Sequence, residues 1–175
     1  HTLEAKLLRG TLRLVSGERE GASEDLSAVI ESTTASLDMR VNALIKRATL
    51  HLQAEDADAC ESDFQTALSL DSDNCDLHHH RGQALMLTGR LYEAWDEFSK
   101  AVELEPEFAV AHVQKWYAHY NAMKMSEKTE GWEEVSTAYE DITKRFPKYQ
   151  EAYVLYAEIL SDRENYDRAQ ELFDK

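Results

Sequence analysis

The sequence is poor in the residues that interrupt helices and shape turns. Its 175 residues include only two prolines and six glycines. An all-β sandwich or barrel needs turn residues about every 8 to 12 positions, so this scarcity excludes that class. Leu, Ala, Glu, Lys and Asp dominate between the few breakers, and such a composition is typical of an all-helical protein.

Basic charge and long apolar runs are also scarce. The chain carries 19 basic and 34 acidic residues, a net charge of −15 with no basic stripe, so we expect no nucleic-acid partner. No run approaches the roughly 20 apolar residues of a membrane-spanning helix, so we expect no membrane span in this part of the protein. The apolar fraction of 43% is still enough for a packed core. Because the chain starts with His1 rather than Met, we expect a piece of a longer protein.

Residues that carry chemistry are few and poorly arranged for catalysis. Cys60 and Cys75 are too few for a disulfide framework and are not spaced as a metal or redox pair, so we predict reduced, structural thiols. The triplet 78–80 is all histidine, but consecutive helical residues point about 100° apart and cannot converge on one ion. There is no nucleophile motif, no phosphate-binding loop and no H-E-x-x-H. We therefore predict a protein that is not an enzyme and holds no cofactor or metal.

A 34-residue repeat organises the chain. Residues 75–108 match the tetratricopeptide (TPR) pattern at positions 8, 11, 20, 24, 27 and 32, with Gly82, Leu85, Ala94, Phe98, Ala101 and Pro106. The same period predicts further repeats at about 3–36, 41–74, 109–149 and 150–175, with four extra residues after the first. The last repeat stops inside its second helix, so we expect that end to fray or to pair with a second copy as a homodimer.

The repeat predicts the fold class. We expect an all-α protein, a TPR superhelix that is an α-solenoid of antiparallel helical hairpins forming one array over residues 1–175. Each hairpin cannot bury its apolar stripe alone and must stack on its neighbours. Small residues let the helices approach closely, so a large residue at Gly82 is expected to cost about 1–3 kcal/mol. His78 and His112 stand at position 4, where the repeat needs a bulky packing residue, and we predict a structural role for both.

The repeat at 109–149 departs from the pattern in two ways. Pro147 follows Pro106 by 41 residues, so about seven residues are extra, and we place them between the two helices, in the stretch from Lys124 to Gly131. Trp116 stands at position 8, where a small residue is expected. Either this hairpin is splayed, or its first helix is shifted in register to seat Ala118.

The first helix of each repeat supplies the candidate binding surface. Positions 2, 5, 9 and 12 share one face at helical spacing, away from the packing positions 4, 8 and 11. The face mixes aliphatic, aromatic, amide and carboxylate side chains, which suits a peptide with apolar anchors and some positive charge. For each residue the alternative is packing against a neighbouring helix. The candidate peptide-binding residues are Asn42, Ile45, Thr49, Asp76, His79, Gln83, Met86, Val113, Tyr117, Tyr120, Glu151, Val154 and Glu158.

Several strings resemble a known receptor family. The segments 42–47 (NALIKR), 79–83 (HHRGQ), 144–147 (KRFP) and 151–157 (EAYVLYA) are similar to the seventy-kilodalton protein-import receptor of the mitochondrial outer membrane. The overlong repeat is also a feature of that family. The similarity keeps its order from about Leu7 to Lys175 and corresponds to the central part of the receptor's C-terminal domain.

The resemblance implies a function and partners. Such receptors are anchored in the mitochondrial outer membrane and expose their TPR domain to the cytosol. Their C-terminal domain holds precursor proteins, such as carrier precursors with internal signals, for transfer to other translocase subunits. Chaperones of the Hsp70 and Hsp90 classes dock on a clamp domain that is absent from this chain. The alternative is a generic TPR scaffold or co-chaperone adaptor that binds another peptide class.

Chaperone-tail binding by the chain itself is not expected. TPR clamps for such tails resemble one another in an Asn at position 9 that holds the terminal carboxylate. Position 9 in this chain is occupied by Thr11, Thr49, Gln83, Tyr117 and Glu158, with no Asn among them. Glu158 would also repel an acidic tail.

Overall fold

The computed structural model describes residues 2–126 and 130–173. Within these residues it contains ten α-helices and no β-strand, which confirms the predicted all-α class. The helices are α1 (Leu3–Ser16), α2 (Arg19–Ile30), α3 (Leu37–Gln53), α4 (Ala57–Leu70), α5 (Cys75–Leu87), α6 (Leu91–Leu104), α7 (Ala109–Met125), α8 (Trp132–Arg145), α9 (Gln150–Asp162) and α10 (Tyr166–Phe173). Two consecutive helices occupy each of the five predicted repeats, and the division into repeats stays a prediction.

The chain folds into two compact units whose boundary lies inside α5, between Ala84 and Leu85. Unit 1 contains α1 to α4 and the part of α5 up to Ala84. Unit 2 begins at Leu85 and contains the end of α5 and α6 to α10. Each unit has apolar cores of its own, and they are described separately below.

Unit 1 is packed through small residues at the helix crossings. Ala22, Ala48 and Ala67, at the positions where the repeat requires small side chains, are completely buried. At Gly10 an added Cβ would lie 3.1 Å from Leu26 Cγ, so α1 and α2 approach too closely for a larger residue without a shift. Phe64 and other apolar side chains of α3, α4 and α5 fill the core between them.

Arginine–carboxylate pairs join the two helices of each hairpin in unit 1. Arg9 of α1 donates to both oxygens of Asp25 of α2, at 2.7 and 2.6 Å, and Arg13 adds a bond of 2.8 Å. In the next hairpin Arg47 of α3 donates to both oxygens of Asp63 of α4, at 2.8 and 2.6 Å. Both carboxylates are buried. The hydrogen bonds from Arg9 hold the pKa of Asp25 below its usual range.

Unit 2 is organised around stacked aromatic rings. Tyr139 of α8 and Tyr156 of α9 are both buried and lie with ring centroids 5.3 Å apart at an interplanar angle of 11°. The Tyr139 hydroxyl donates to the carbonyl of Val113 in α7 at 3.0 Å, and the Tyr156 hydroxyl lies 2.8 Å from Ser136 Oγ. These contacts tie α7, α8 and α9 together around one core.

The four extra residues before the second repeat lengthen a helix. α3 begins at Leu37, and its N-cap Ser36 accepts a hydrogen bond from the backbone N–H of Met39 at 3.3 Å. Ser is a favoured N-cap because its hydroxyl satisfies an N–H that the first turn leaves without a partner. Residues 37–40 therefore form the first turn of α3 rather than a loop.

The seven extra residues of the fourth repeat divide between a helix and a connection. α7 has 17 residues where α5 has 13, and residues 126–131 link α7 to α8 where 88–90 link α5 to α6. The helix thus takes four of the extra residues and the connection takes three. The prediction placed the extra residues between the two helices, from Lys124 to Gly131, but Lys124 and Met125 belong to α7, and residues 127–129 lie outside the described residues.

Ala118 and Trp116 of α7 have different surroundings. Ala118 is completely buried in a cluster with Ala94 and Phe98 of α6. α7 packs more extensively against α6 than against α8, its own hairpin partner. Trp116 is half-buried at the edge of the unit 2 core. Ala118 is therefore seated against α6, and the splayed hairpin and the shifted register both stay predictions.

Candidate functional site

Unit 1 holds six of the candidate peptide-binding residues, on α3 and α5. Asn42 and Asp76 are exposed, and Thr49 and Gln83 are half-buried. The Thr49 hydroxyl donates to the carbonyl of Ile45 at 3.0 Å, one turn earlier in the same helix. For these four residues a peptide contact stays a prediction.

The other two candidate residues of unit 1 are buried. Ile45 is 8% exposed and packs in the core shared by α3, α4 and α5. His79 is 7% exposed. The buried stripe of each helix is therefore wider than positions 4, 8 and 11 alone, and for these two residues a peptide contact stays a prediction.

Unit 2 holds the other seven candidates, on α5, α7 and α9. Glu151, Val154 and Glu158 of α9 are exposed, with Val154 at 43%. Met86 and Tyr117 are half-buried. Val113 is 0% exposed, because α8 and α9 both pack against α7 and enclose position 5 in the core, and its peptide contact stays a prediction.

α7 and α9 form a cleft of about 350 Å³. Three of the candidate residues, Tyr117 and Tyr120 of α7 and Glu158 of α9, line it together. Tyr120 is buried, and its hydroxyl donates to Asp162 Oδ2 at 3.4 Å on the far side of the cleft. The remaining lining residues are Asn121, Lys124, Ile159, Ser161, Asp162 and Phe173. The structure thus brings together candidates that lie 41 residues apart in the sequence.

The cleft carries a net negative charge. Lys124 Nζ and Asp162 Oδ2 form an ion pair at 2.5 Å, and this hydrogen bond raises the pKa of Lys124. Burial, and then the charge of Asp162, raise the pKa of Tyr120, so its ring stays a neutral phenol at physiological pH. Within residues 2–126 and 130–173, Glu158 forms no ion pair or hydrogen bond through its carboxylate. Among the described residues, the carboxylate of Glu158 is therefore without an ionic partner and lies in a cleft that is lined by aromatic side chains.

Sequence reasoning missed Lys124, Asp162 and Phe173. Asp162 stands at position 13 of its repeat, one residue beyond the positions assigned to the groove. Lys124 belongs to the added turn of α7, which a fixed 34-residue register places in a loop. The overlong repeat itself was the signal that pointed to this part of the chain.

The histidines and cysteines have structural surroundings. His78 Nε2 lies 2.9 Å from the carbonyl of Ser72, and His112 Nε2 lies 2.8 Å from that of Pro106, so each position-4 histidine bonds to the turn six residues earlier. Cys60 and Cys75 are free thiols, and burial raises the pKa of Cys60 to about 11. Among the described residues, no group of three His, Cys, Asp or Glu side chains is arranged to hold a metal ion.

The curated relatives of the chain are receptors. It is 36% identical over 172 residues, 98% of its length, to the human mitochondrial import receptor subunit TOM70. The resemblance to the seventy-kilodalton import receptor is confirmed. The chain spans 28% of the length of the human receptor. The prediction that the protein is not an enzyme agrees with the relatives' names. No protein-family model matches the chain.

Solved structures support the TPR fold. The crystal structure of yeast Tom70 matches 98% of the chain and 35% of its own length, with a TM-score of 0.77 and 18% identity. The pilF protein of Pseudomonas aeruginosa matches 98% of the chain and 73% of its own length, also with a TM-score of 0.77 and 18% identity. No helix in the described part of the chain has the length and apolarity needed to cross a membrane.

Proposed function

We propose that this chain is part of a mitochondrial protein-import receptor and that unit 2 holds a segment of an incoming precursor. The bound segment lies in the α7/α9 cleft and continues over the exposed face of α9, where Glu151 and Val154 lie. The observation that carries this proposal is the cleft itself. It assembles Tyr117, Tyr120 and Glu158 in a chain 36% identical to a named import receptor.

The chemistry of the surface supports a precursor as ligand. Half-buried Tyr117 and exposed Val154 offer aromatic and aliphatic contacts, which dominate the affinity of protein interfaces. The exposed carboxylates of Glu151 and Glu158 offer partners for basic side chains. Carrier precursors with internal signals combine apolar and basic segments and are the class that we assign.

The location and further partners follow from the same assignment. The domain faces the cytosol at the mitochondrial outer membrane and passes its cargo to other translocase subunits. Hsp70 and Hsp90 deliver precursors through a clamp domain elsewhere in the full receptor. A homodimer is part of the same proposal.

Calorimetry with three ligands tests the function. The chain is titrated with a peptide from an internal signal of a mitochondrial carrier, with an Hsp90 C-terminal tail peptide and with zinc. Only the carrier peptide is expected to bind. The variant Tyr117→Ala/Val154→Ala should weaken that binding at least about tenfold, because both contacts of the apolar surface are lost.

A matched control variant tests whether the cleft is the binding site, separately from whether the chain binds a precursor. Tyr166→Ala/Val15→Ala removes the same two residue types from positions that are 64% and 83% exposed and lie outside the cleft. This control should bind the carrier peptide like the original chain. Binding of the tail peptide alone would establish the co-chaperone alternative. Equal carrier-peptide affinity in both double variants would show that the cleft is not the binding site, although the chain would still be a precursor receptor.

A further inference from the structure

We infer that the α7/α9 cleft takes a cationic side chain of the bound segment between Glu158 and Asp162, and that Lys124 occupies part of this subsite when no ligand is bound. The inference rests on the proposed function, since it specifies the chemistry of the same cleft. It assigns to Lys124 the role of an internal competitor that sets the affinity for basic ligands.

The cleft contains more carboxylates than ammonium groups. Two carboxylates, Glu158 and Asp162, line the cleft with one ammonium group, that of Lys124, which pairs with Asp162. Lys124 Nζ forms an ion pair with Asp162 Oδ2 at 2.5 Å, whereas Glu158 has no ionic partner among the described residues. An incoming ammonium or guanidinium group can pair with Glu158 at once and with Asp162 when Lys124 moves aside.

The walls of the cleft are partly apolar. Tyr117, Ile159 and Phe173 present apolar surface beside the carboxylates. Lys and Arg side chains have long aliphatic stems that pack on such surface while the charged end stays with its partner. A cleft of about 350 Å³ has room for one such side chain. The shape and the charge of the cleft thus select the same ligand group.

The ion pair between Lys124 and Asp162 is exposed and therefore weak. The side chains of Lys124 and Asp162 are 57% and 43% exposed. Exposed ion pairs contribute little stability, so Lys124 can leave Asp162 at small cost. Lys124 lies on the added turn of α7, and a helix of the length of α5 would end before reaching it. The internal competitor is therefore a product of the overlong repeat.

Two peptides that differ in one group test the inference. The first is a Leu-rich amphipathic peptide with a single Lys and blocked ends, and the second has norleucine in place of that Lys. Fluorescence anisotropy gives the affinity ratio between them for the chain and its variants. Lys124→Met should raise affinity for the Lys peptide about two- to fivefold and leave the norleucine peptide unchanged. Glu158→Gln should lower the ratio by a similar factor.

Matched substitutions outside the cleft serve as controls. Lys148→Met and Glu133→Gln change exposed residues of unit 2 that do not line the cleft, so both should leave the ratio unchanged. The gain from Lys124→Met should shrink at high salt, because exposed charges are screened.

The outcomes distinguish this inference from the proposed function. If Lys124→Met leaves the peptide ratio unchanged, or weakens both peptides equally, Lys124 is only a wall of the cleft and the inference is wrong. The function then still stands if Tyr117→Ala/Val154→Ala weakens the carrier peptide. If that double variant leaves carrier-peptide affinity unchanged, the cleft is not the binding site and the inference fails, whereas the function fails only if the carrier peptide does not bind the chain.

Discussion

Repeat positions 7 and 23 hold an arginine–carboxylate pair in the hairpins of unit 1 and buried apolar or aromatic side chains in the last repeat of unit 2. In unit 1, position 7 is Arg9 or Arg47, and each arginine binds a buried carboxylate at position 23. In the last repeat of unit 2, position 7 is Tyr156 and position 23 is Leu172, both buried in the aromatic core. One helical-hairpin geometry is therefore held by charged hydrogen bonds in one unit and by apolar packing in the other.

The difference shows how a repeat protein can specialise one part of its surface. A bidentate arginine–carboxylate pair fixes two helices in one geometry and leaves little room between them. In unit 2 α7 packs more extensively against α6 than against α8, aromatic side chains fill the core, and the cleft opens between α7 and α9 of this unit. Unit 1 is the more regular framework, whereas unit 2 carries the irregular repeat and the candidate site.

The largest effect is expected from Tyr139→Ala in unit 2. The change removes the stack on Tyr156 and the hydrogen bond to Val113, and loss of a buried aromatic side chain costs about 3–5 kcal/mol. Urea denaturation measures the cost, and hydrogen exchange should show lost protection in α7 to α9. Tyr166→Ala, at an exposed position, should stay within about 0.5 kcal/mol. A cost below about 1 kcal/mol for Tyr139→Ala would show that the stack does not hold unit 2 together.

A smaller effect is expected from Asp25→Asn in unit 1. The substitution removes a charged acceptor that three arginine hydrogen bonds share, and hydrogen bonds to charged groups contribute about 1.5–3 kcal/mol. We expect a loss of about 2 kcal/mol at pH 7, measured by urea denaturation, with lost protection confined to α1 and α2. Glu24→Gln changes the exposed neighbouring residue of α2 and should be nearly neutral.

The pH dependence of this loss is a sharper form of the same prediction. The pKa of Asp25 is lowered in the folded state, chiefly by hydrogen bonds from Arg9, relative to an unfolded value of about 3.9. A group with a lowered pKa stabilises the fold above its unfolded pKa and ceases to do so as the pH falls through its folded pKa. The stability difference between the original chain and Asp25→Asn should therefore be constant near neutrality and shrink below about pH 4. A difference that persists unchanged at pH 2 would mean that Asp25 acts through packing rather than charge.

The helices and their closest contacts could be predicted from the sequence. The repeat required small residues at Ala94 and Ala101, and both are completely buried. The arginine–carboxylate pairs were also visible, since Arg9 and Arg47, like Asp25 and Asp63, are 38 residues apart. They escaped notice because the TPR pattern describes apolar and small positions and assigns no role to charge at positions 7 and 23.

The candidate site could be predicted only in part, for reasons of packing. Tyr117 and Glu158 both stand at position 9 of their repeats, so the repeat register could place them on one surface, and both line the cleft. The burial of Val113 could not be predicted, because it depends on how closely α8 and α9 cover α7, which a periodic pattern does not encode. Lys124 could not be placed because the pattern cannot tell whether extra residues extend a helix or lengthen a loop.

Site-specific photo-crosslinking tests the central claim that unit 2 holds the precursor in the α7/α9 cleft. A benzophenone amino acid replaces Tyr117 in the cleft or, as a control, Gln65 on the exposed surface of α4 in unit 1. The carrier-derived peptide is then added and the products are mapped by mass spectrometry. We predict a strong cross-link from position 117, competed away by unlabelled peptide, and none from position 65. A specific, competable cross-link at position 65 with none at 117 would contradict the account.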